Sequence, residues 1–460
     1  MSDQQAGPSD DKPSSQESSK MTGMTIEDLF KKLLLGQSAK EKPQKSMDEY
    51  KFWKTQPVTK LGQEVDKEGE IEFKTVEEVP KDPAPLPAGF EWSTIDITDP
   101  AQVNEVYELL YHNYIEDDEE NFRFRYSATF LDWALKPPGW VAEWNVAVRV
   151  SDTMKLVGFI SGIPQTLRVR GRKDIQIAEI NYLCVHKKLR SKRLAPVLIR
   201  EVTRRVNLKN IWQALYTASA VLPSPISTCR YYHRSINWPK LYDVGFSPLP
   251  SDSTPAKQVA KFALPNEPTL PTLRAMKESD VPQVHELLNR YLDRFDMAPV
   301  LSEAELYHWM LDSVHTKPED KVVYSYVVTD ANDDSKITDF FSFYHIDCTV
   351  SGNEKHDSLK IAYAFYYATD DTSDDSIVKN RLVKLFNNAL IIAKKFNFDV
   401  FNAMTIQDNP LFLEELKFGA GDGILNYYLF NYRAFPVHGG INKEKRLEVR
   451  KSGGVGVVLL

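Results

Sequence analysis

Residues 179–197 read Glu-Ile-Asn-Tyr-Leu-Cys-Val-His-Lys-Lys-Leu-Arg-Ser-Lys-Arg-Leu-Ala-Pro-Val. The first seven suit a strand, and Leu194 onward, with Pro196 in the first turn, opens a helix. Between them stand Lys187, Lys188, Arg190, Lys192 and Arg193. A helix N-terminus carries unpaired N–H groups and a partial positive charge, and a guanidinium chelates phosphate at two points. The charge run alone fits a solvated basic loop or a nuclear-localisation-like patch. Its place between a strand and a helix turns the reading toward a pyrophosphate. The strand has a second use: where it splays from its neighbour, its N–H groups lose ladder partners and can point at a ligand. Two such donors on a carbonyl under attack would stabilise a tetrahedral intermediate, each worth about 2.7–4 kcal/mol of barrier.

Cys184 and His186, two apart on one strand face, could be a thiolate nucleophile and its base. Against this, Tyr182, Leu183 and Val185 offer nothing to orient the imidazole, and a free Cys on an apolar strand is as a rule a small core hydrophobe.

Outward from this stretch the chain repeats itself. Pro100–Leu110 and Val281–Leu292 are both amphipathic, with a proline near the start and a shared Gln-Val-x-Glu string, Gln102–Glu105 and Gln283–Glu286. Each is followed by two strand-like runs around a polar turn, Val146–Val150 with Leu156–Ile163 and Val322–Val328 with Ile337–Tyr344. A third apolar run comes next, Glu179–Val185 and Ile361–Ala368. Then come a long helix, Pro196–Val206 and Val378–Lys395, and a strand, 211–217 and 400–405. Gly245-Phe246 and Phe418-Gly419 close the two units. Matched elements in one order predict a duplicated α+β unit of about 150–180 residues. The expected organisation is a disordered tail with a short amphipathic helix (1–45, the helix at Ile26–Leu35), a first half (46–250), a Pro- and Ser-rich linker (251–271) and a second half (272–460). Residues 55–90 read as an extended strap.

Composition sets the frame. The chain has 460 residues, 42% hydrophobic, with 57 Lys+Arg against 64 Asp+Glu and a net charge of −7. That is apolar enough to exclude wholesale disorder, and too acidic for general nucleic-acid or anionic-membrane binding. Three scattered cysteines, Cys184, Cys229 and Cys348, form neither a disulfide framework nor a CxxC metal spacing, so an intracellular, cytoplasmic setting is expected and no metal site. No apolar run approaches the roughly 18 residues of a membrane span.

Two further stretches stand out. Residues 417–423, Lys-Phe-Gly-Ala-Gly-Asp-Gly, suggest a side-chain-free turn that lets backbone or ligand approach closely, or a generic hairpin turn. The chain ends Val455-Gly-Val-Val-Leu-Leu460, where termini are usually polar. An apolar strand with a buried end would raise the pKa of the α-carboxylate and make it a better base; an exposed edge strand is the alternative. Aromatic clusters at 122–126, 363–367 and 426–432 would build cores and a peptide groove.

The helix–hairpin–strand–helix–strand order resembles the GNAT acyltransferase superfamily, in which the strand before the long helix opens into a V that holds an acyl-CoA. The expected fold is therefore α+β (mixed α/β), two tandem GNAT-like units forming one pseudo-twofold body around a saddle-shaped mixed sheet.

Residues 179–187 together with 417–423 closely resemble the two signature motifs of the N-myristoyltransferase family. The likeness extends to Tyr50–Pro57, Leu189–Leu198, Ala214–Thr217, Cys229–His233 and the apolar end at Leu460, and the pattern looks fungal or otherwise eukaryotic. Tyr182 stands where the family commonly has Phe, which leaves a backbone role untouched. The resemblance implies a myristoyl transfer from myristoyl-CoA, bound first, to an N-terminal glycine amine, with no prosthetic group. It implies that Tyr50, Lys51, Phe52 and Trp53 contact the acyl-CoA and that Leu183, Cys184, Val185, Arg190, Ser191, Lys192, Arg193, Leu194 and Ala195 line its pantetheine and phosphate path. The N–H groups of Tyr182 and Leu183 would form the oxyanion hole, and the carboxylate of Leu460 would be the base. Phe122, Phe124, Asn181, Thr217, Tyr231, His233, Asn402, Asp422 and Gly423 would hold the peptide. The implied partners are glycine-leading peptides or nascent proteins and no nucleic acid; the chain would be a monomer, and ribosome contact transient, since the tail is not strongly basic. A different GNAT-type N-acyltransferase, or a non-catalytic duplicated scaffold binding peptides or RNA through 187–193, remains the alternative.

Overall fold

A computed structural model describes residues 46–114, 122–311, 320–449 and 453–460. The helix expected at Ile26–Leu35 lies outside them. The first half runs β1 (Gly69–Glu70), β2 (Phe90–Thr94), α1 (Pro100–Asn113), β3 (Phe122–Arg125), α2 (Ala128–Leu135) and β4 (Val146–Val150). It continues with β5 (Leu156–Val169), β6 (Arg172–Val185), α3 (Leu194–Asn207), β7 (Gln213–Ala218) and β8 (Ser227–Ser235). Two short helices, α4 (Trp238–Asp243) and α5 (Pro255–Phe262), follow, so the expected 251–271 linker contains a turn-rich helix. The second half repeats the order with β9 (Leu273–Ala275), α6 (Val281–Leu292), β10 (Met297–Pro299), α7 (Glu303–Leu311), β11 (Val323–Thr329) and β12 (Ile337–Val350). It ends with β13 (Ser358–Thr369), α8 (Asp375–Lys395), β14 (Val400–Met404), β15 (Gly419–Phe430) and β16 (Tyr432–Arg433).

Local chemistry explains the helices. Asp99 caps α1 by accepting the Ala101 N–H, Pro100 fills the first turn, and Val103, Val106, Leu109 and Leu110 bury one stripe. α6 starts on a proline in the same way and buries Val284, Leu287, Leu288 and Tyr291. The hairpin strands β5, β6 and β12 run longer than their apolar cores predicted, because backbone pairing continues through polar positions such as Arg172 and Asp347.

One 14-stranded mixed sheet joins the halves in the order β2-β4-β5-β6-β7-β15-β8-β14-β13-β12-β11-β9. Read by role, that order is a palindrome about the β15–β8 pair. Each half lends a strand to the other, β15 lying beside β7 and β8 beside β14; in addition β10 pairs with β5 and β3 with β12. The apolar core spans both halves. Among the described residues no helix is long and apolar enough to cross a membrane.

The feature that positions the site occurs twice. β6 and β7 are parallel and pair only over Ile177–Glu179 against Gln213–Leu215, then diverge. β13 and β14 pair only over Ile361–Tyr363 against Val400–Asn402. Just past each divergence the strand bulges. Phe159 faces Cys184 and Ser161 faces Asn181, so Tyr182 and Leu183 together oppose Ile160. Phe341 faces Tyr367 and Phe343 faces Ala364, leaving Phe365 and Tyr366 opposite Ser342. Tyr182 takes φ +56°, a left-handed conformation that costs a side-chain-bearing residue about 1–2 kcal/mol.

Two sequence expectations are corrected. Residues 417–423 do not make a hairpin turn; Gly419 opens β15, and Asp422 and Gly423 sit in a bulge between Ala420 and Ile424. The apolar C-terminus is buried, but it makes a single parallel bridge, Val455 to Met297, rather than a strand.

Candidate active site

The gap between β6 and β7 opens into a cavity of about 590 Å³, in the range that holds a sizeable ligand. β6 contributes Asn181 to Val185, α3 contributes Ala195, Ile199, Val202, Thr203 and Val206, and the end of β7 contributes Thr217 and Ala218. Trp53, Arg190, Leu425, Phe430 and Leu460 complete the wall. The wall facing α3 is aliphatic and suits a hydrocarbon chain. Trp53 stacks on Tyr216 at 5.6 Å, and Tyr216 on Tyr428 at 5.1 Å. Beside them Tyr50 donates to the Val221 carbonyl at 2.8 Å, and the Arg200 guanidinium sits 5.4 Å from the Phe52 ring. Lys51 is exposed.

The basic stretch is a 3-10 turn, Lys187–Lys192, held from behind by α1. Asn113 is buried; its side-chain oxygen accepts the Lys187 N–H at 2.9 Å and its carbonyl accepts from Arg190 at 2.6 Å. Arg193, at φ +57°, links the turn to α3. Lys187, Lys188, Arg190, Ser191, Lys192 and Arg193 are all exposed, so cationic and N–H donors converge where a helix begins. Leu194 is buried and does not line the cavity.

The chain end reaches the other side of the same cavity. Asp296 N–H donates to the Gly454 carbonyl and Gly454 N–H to the Asp296 carboxylate, both at 2.9 Å. Gly456 N–H donates to Met297 and Gln407 N–H to Val455, both at 2.7 Å. Tyr427 donates to the Val457 carbonyl and Val458 N–H to the Tyr366 hydroxyl, both at 3.1 Å. Val455 and Val457 are wholly buried. A side chain at Gly456 would meet Phe295 Cβ at 2.9 Å.

Where the β6–β7 pairing ends, two residues before Asn181, stands a polar group to which the sequence assigned no role. Glu179 is buried and accepts from Asn181 Nδ2 at 2.8 Å. Burial pushes its pKa up to about 7, with the Asn181 hydrogen bond pulling the other way. An acidic residue two before an amide in an otherwise apolar strand was the signal available. Tyr114 lines the cavity near the bulge, and behind it the Tyr126 ring lies 5.6 Å from that of Tyr182. Burial pushes the Tyr114 phenol up to about 12, while the Tyr182 N–H facing it works in the opposite sense.

The proposed peptide residues form a second cluster across the sheet. His233 and Asn402 are register partners, and His233 Nδ1 lies 2.7 Å from Asn402 Oδ1. The Asn402 amide also bonds Tyr363, so its oxygen faces the imidazole and Nδ1 carries the proton. Burial holds His233 at about pKa 4, neutral at working pH. A Cβ at Gly421 would clash with the His233 ring and meet the Tyr231 carbonyl at 2.9 Å, which gives the glycine-rich stretch its reason. Phe122 and Phe124 are buried on β3, opposite Val350 and Cys348. Cys184 Sγ is 3.8 Å from the Leu109 carbonyl, and His186 Nδ1 accepts the Lys188 N–H.

Residues 70–229 match the family model described as Myristoyl-CoA:protein N-myristoyltransferase, N-terminal domain, and residues 243–458 match its C-terminal domain. The glycylpeptide N-tetradecanoyltransferase of Candida albicans is 54% identical over 440 residues, 95% of this chain and 96% of that protein. That of Aspergillus fumigatus is 51% identical over 431 residues, 93% of this chain and 87% of that protein. The crystal structure of Saccharomyces cerevisiae N-myristoyltransferase with bound myristoyl-CoA superposes with a TM-score of 0.87 at 48% identity, covering 90% of this chain and 100% of that one.

Proposed function

The chain belongs to the N-myristoyltransferase family, and from that premise we propose that it transfers a myristoyl group from myristoyl-CoA to the N-terminal glycine amine of protein substrates. The observation that carries this reading is that Leu460 lines the same cavity as the bulged strand Asn181–Val185 and Thr217. The aliphatic wall of α3 takes the acyl chain, and the exposed basic turn at Lys187–Arg193 takes the phosphates of CoA.

In the proposed reaction myristoyl-CoA binds first and the peptide follows. The neutral glycine nitrogen attacks the thioester carbonyl carbon, the C–S bond breaks, and CoA leaves as thiolate. The amine proton passes to the Leu460 carboxylate. An α-amino group has a pKa of about 7.7–8.0, so roughly a tenth is already neutral at pH 7, and a modest base suffices. The N–H groups of Tyr182 and Leu183 are assigned to the developing oxyanion, for which the Tyr182 N–H must give up the Tyr114 hydroxyl that it faces. The engagement of Cys184 with the Leu109 carbonyl supports direct attack over an acyl-cysteine. Phe122, Phe124, Tyr231, His233, Asn402, Asp422 and Gly423 are assigned to the peptide.

Incubation with myristoyl-CoA and a peptide beginning with Gly, against the same peptide beginning with Ala, tests the reading. A myristoyl mass addition on the Gly peptide alone is expected. Addition to both or to neither refutes it.

A further inference from the structure

The first motif holds a buried acid that the reaction outlined above does not use. Glu179 is the last residue of β6 paired with β7, opposite Leu215, and Asn181 is two residues on, past the divergence. At that spacing both side chains fall on one face of the strand. Glu179 is 3% exposed, and among the described residues no Lys, Arg or His forms a salt bridge with it. Its carboxylate accepts from Asn181 Nδ2 at 2.8 Å. A buried carboxyl with no cationic partner is costly, and an apolar residue would fill the volume without that cost.

The acid makes sense through what it does to its neighbour. An ionised carboxylate only accepts hydrogen bonds, so the amide must turn its NH₂ toward Glu179. Asn181 lines the cavity, and its carbonyl oxygen is then the end left for a ligand. The incoming group is an ammonium that becomes an amine, a donor in both states. An amide turned the other way would meet it with N–H against N–H.

We propose that Glu179 is a positioning residue: its carboxylate fixes the Asn181 amide so that the carbonyl oxygen receives an N–H of the substrate's α-amino group beside Leu460. The inference rests on the transferase reading. It gives the buried charge a purpose and makes it a determinant of amine capture, leaving the acyl-CoA untouched. The titratable groups that face Glu179 are the phenols of Tyr182, on its own strand, and Tyr366 from β13, the latter also holding Val458 near the chain end. Protonated, the carboxyl becomes a donor and favours the wrong amide orientation. Because burial brings its titration to about pH 7, amine capture should weaken as pH falls below neutrality.

Steady-state transfer to a glycine-leading peptide would be measured for the full chain, Glu179→Leu, Glu179→Gln, Asn181→Ala and the Leu/Ala double variant, with myristoyl-CoA affinity determined by calorimetry. Glu179→Leu should lower kcat/KM for peptide roughly tenfold or more, the scale of one charge-assisted hydrogen bond, with acyl-CoA affinity unchanged. In the Asn181→Ala background the same change should have no further effect. Glu179→Gln, which keeps the shape and an acceptor oxygen, should retain more activity than Glu179→Leu and lose less of it between pH 8 and pH 6 than the unaltered chain. Undiminished transfer by Glu179→Leu, additive losses in the double variant, or loss of acyl-CoA binding in both Glu179 variants would overturn the inference while leaving the activity standing. Absence of transfer by the unaltered chain would sink the activity, and this inference with it.

Discussion

Glu179 also makes a thermodynamic prediction that does not depend on substrate. Its ordinary pKa of 4.5 rises to about 7 in the folded chain, chiefly through burial. At about 1.4 kcal/mol per unit, the rise corresponds to about 3 kcal/mol. The sign follows from where each state holds its proton. Below pH 4.5 both folded and unfolded chains are protonated at this site, and the folded state bears no charge penalty. Between 4.5 and about 7 the unfolded chain has released the proton while the folded chain keeps it, so stability falls as pH rises. Above about 7 both are ionised and the loss is complete. Glu179→Gln cannot titrate and should escape it. Urea unfolding followed by tryptophan fluorescence at pH 5, 6, 7 and 8 would give the free-energy difference between variant and unaltered chain. That difference should move in favour of the variant by about 2–3 kcal/mol between pH 5 and pH 8, part of the loss being already incurred at pH 5, with most of the change below pH 7.5. Any constant offset from the altered amide drops out, because only the change with pH is read. A difference independent of pH, or one favouring the variant more toward acid, would refute the reasoning. The latter would mean a carboxylate stabilised by a cation, with a depressed pKa.

Extending the chain past Leu460, or deleting that residue, should nearly abolish turnover while myristoyl-CoA binding persists in calorimetry, since the end lies inside the cavity wall; normal kcat would refute the base assignment. Arg193→Ala removes an exposed cation at the start of α3 and should weaken acyl-CoA binding more than peptide binding. Equal effects on the two would undo the phosphate assignment. Gly421→Ala places a methyl against the His233 ring and the Tyr231 carbonyl, so the peptide KM should rise severalfold with acyl-CoA affinity intact; an unchanged KM would separate His233 from the peptide.

The duplication was legible because helices and hairpins announce themselves locally. Prolines at 100 and 282 open two helices, and apolar runs on either side of a polar turn mark β4, β5, β11 and β12. What the sequence does not carry is how the units interlock. Nothing in Ser227–Ser235 or Gly419–Phe430 says that each strand will be inserted beside the other half, since that is decided by pairing across nearly 200 residues of chain. The site divides in the same way. Lys187–Arg193 is readable from charge in a strand-to-helix context. Asn113, which holds that turn, is an unremarked polar residue at the end of α1 and acquires its role only through the fold. Tyr366 and Tyr427 look like core aromatics, and only their hydroxyls' contacts with Val458 and Val457 tie them to the chain end. The approach of Leu460 to Asn181 was implied by family resemblance; the physical reading alone gave no more than a buried, apolar terminus.

The two halves share a splayed strand and a bulge, yet they use them differently, and the difference bears on where the proposed base comes from. In the first half the divergence is open to a cavity and is followed by a basic turn before α3. In the second half the corresponding connection to α8 reads Asp370-Asp-Thr-Ser-Asp-Asp375, which would repel a pyrophosphate. Its gap is also occupied by protein. Gln407 donates to the Phe365 carbonyl at 3.0 Å and takes the Val455 carbonyl on its own N–H. Asp408, bonded to Tyr291 at 2.6 Å and Arg294 at 2.7 Å, gives its N–H to the Tyr367 hydroxyl. Tyr366, the counterpart of the bulge at Tyr182–Leu183, accepts the Val458 N–H. A splayed strand offers unsatisfied polar groups to whatever enters it. In the first half that demand is left for a ligand; in the second it is met by the chain's own last residues. Seated there, the terminus reaches the first cavity, so the half that lacks the basic turn is the element that brings Leu460 to the other.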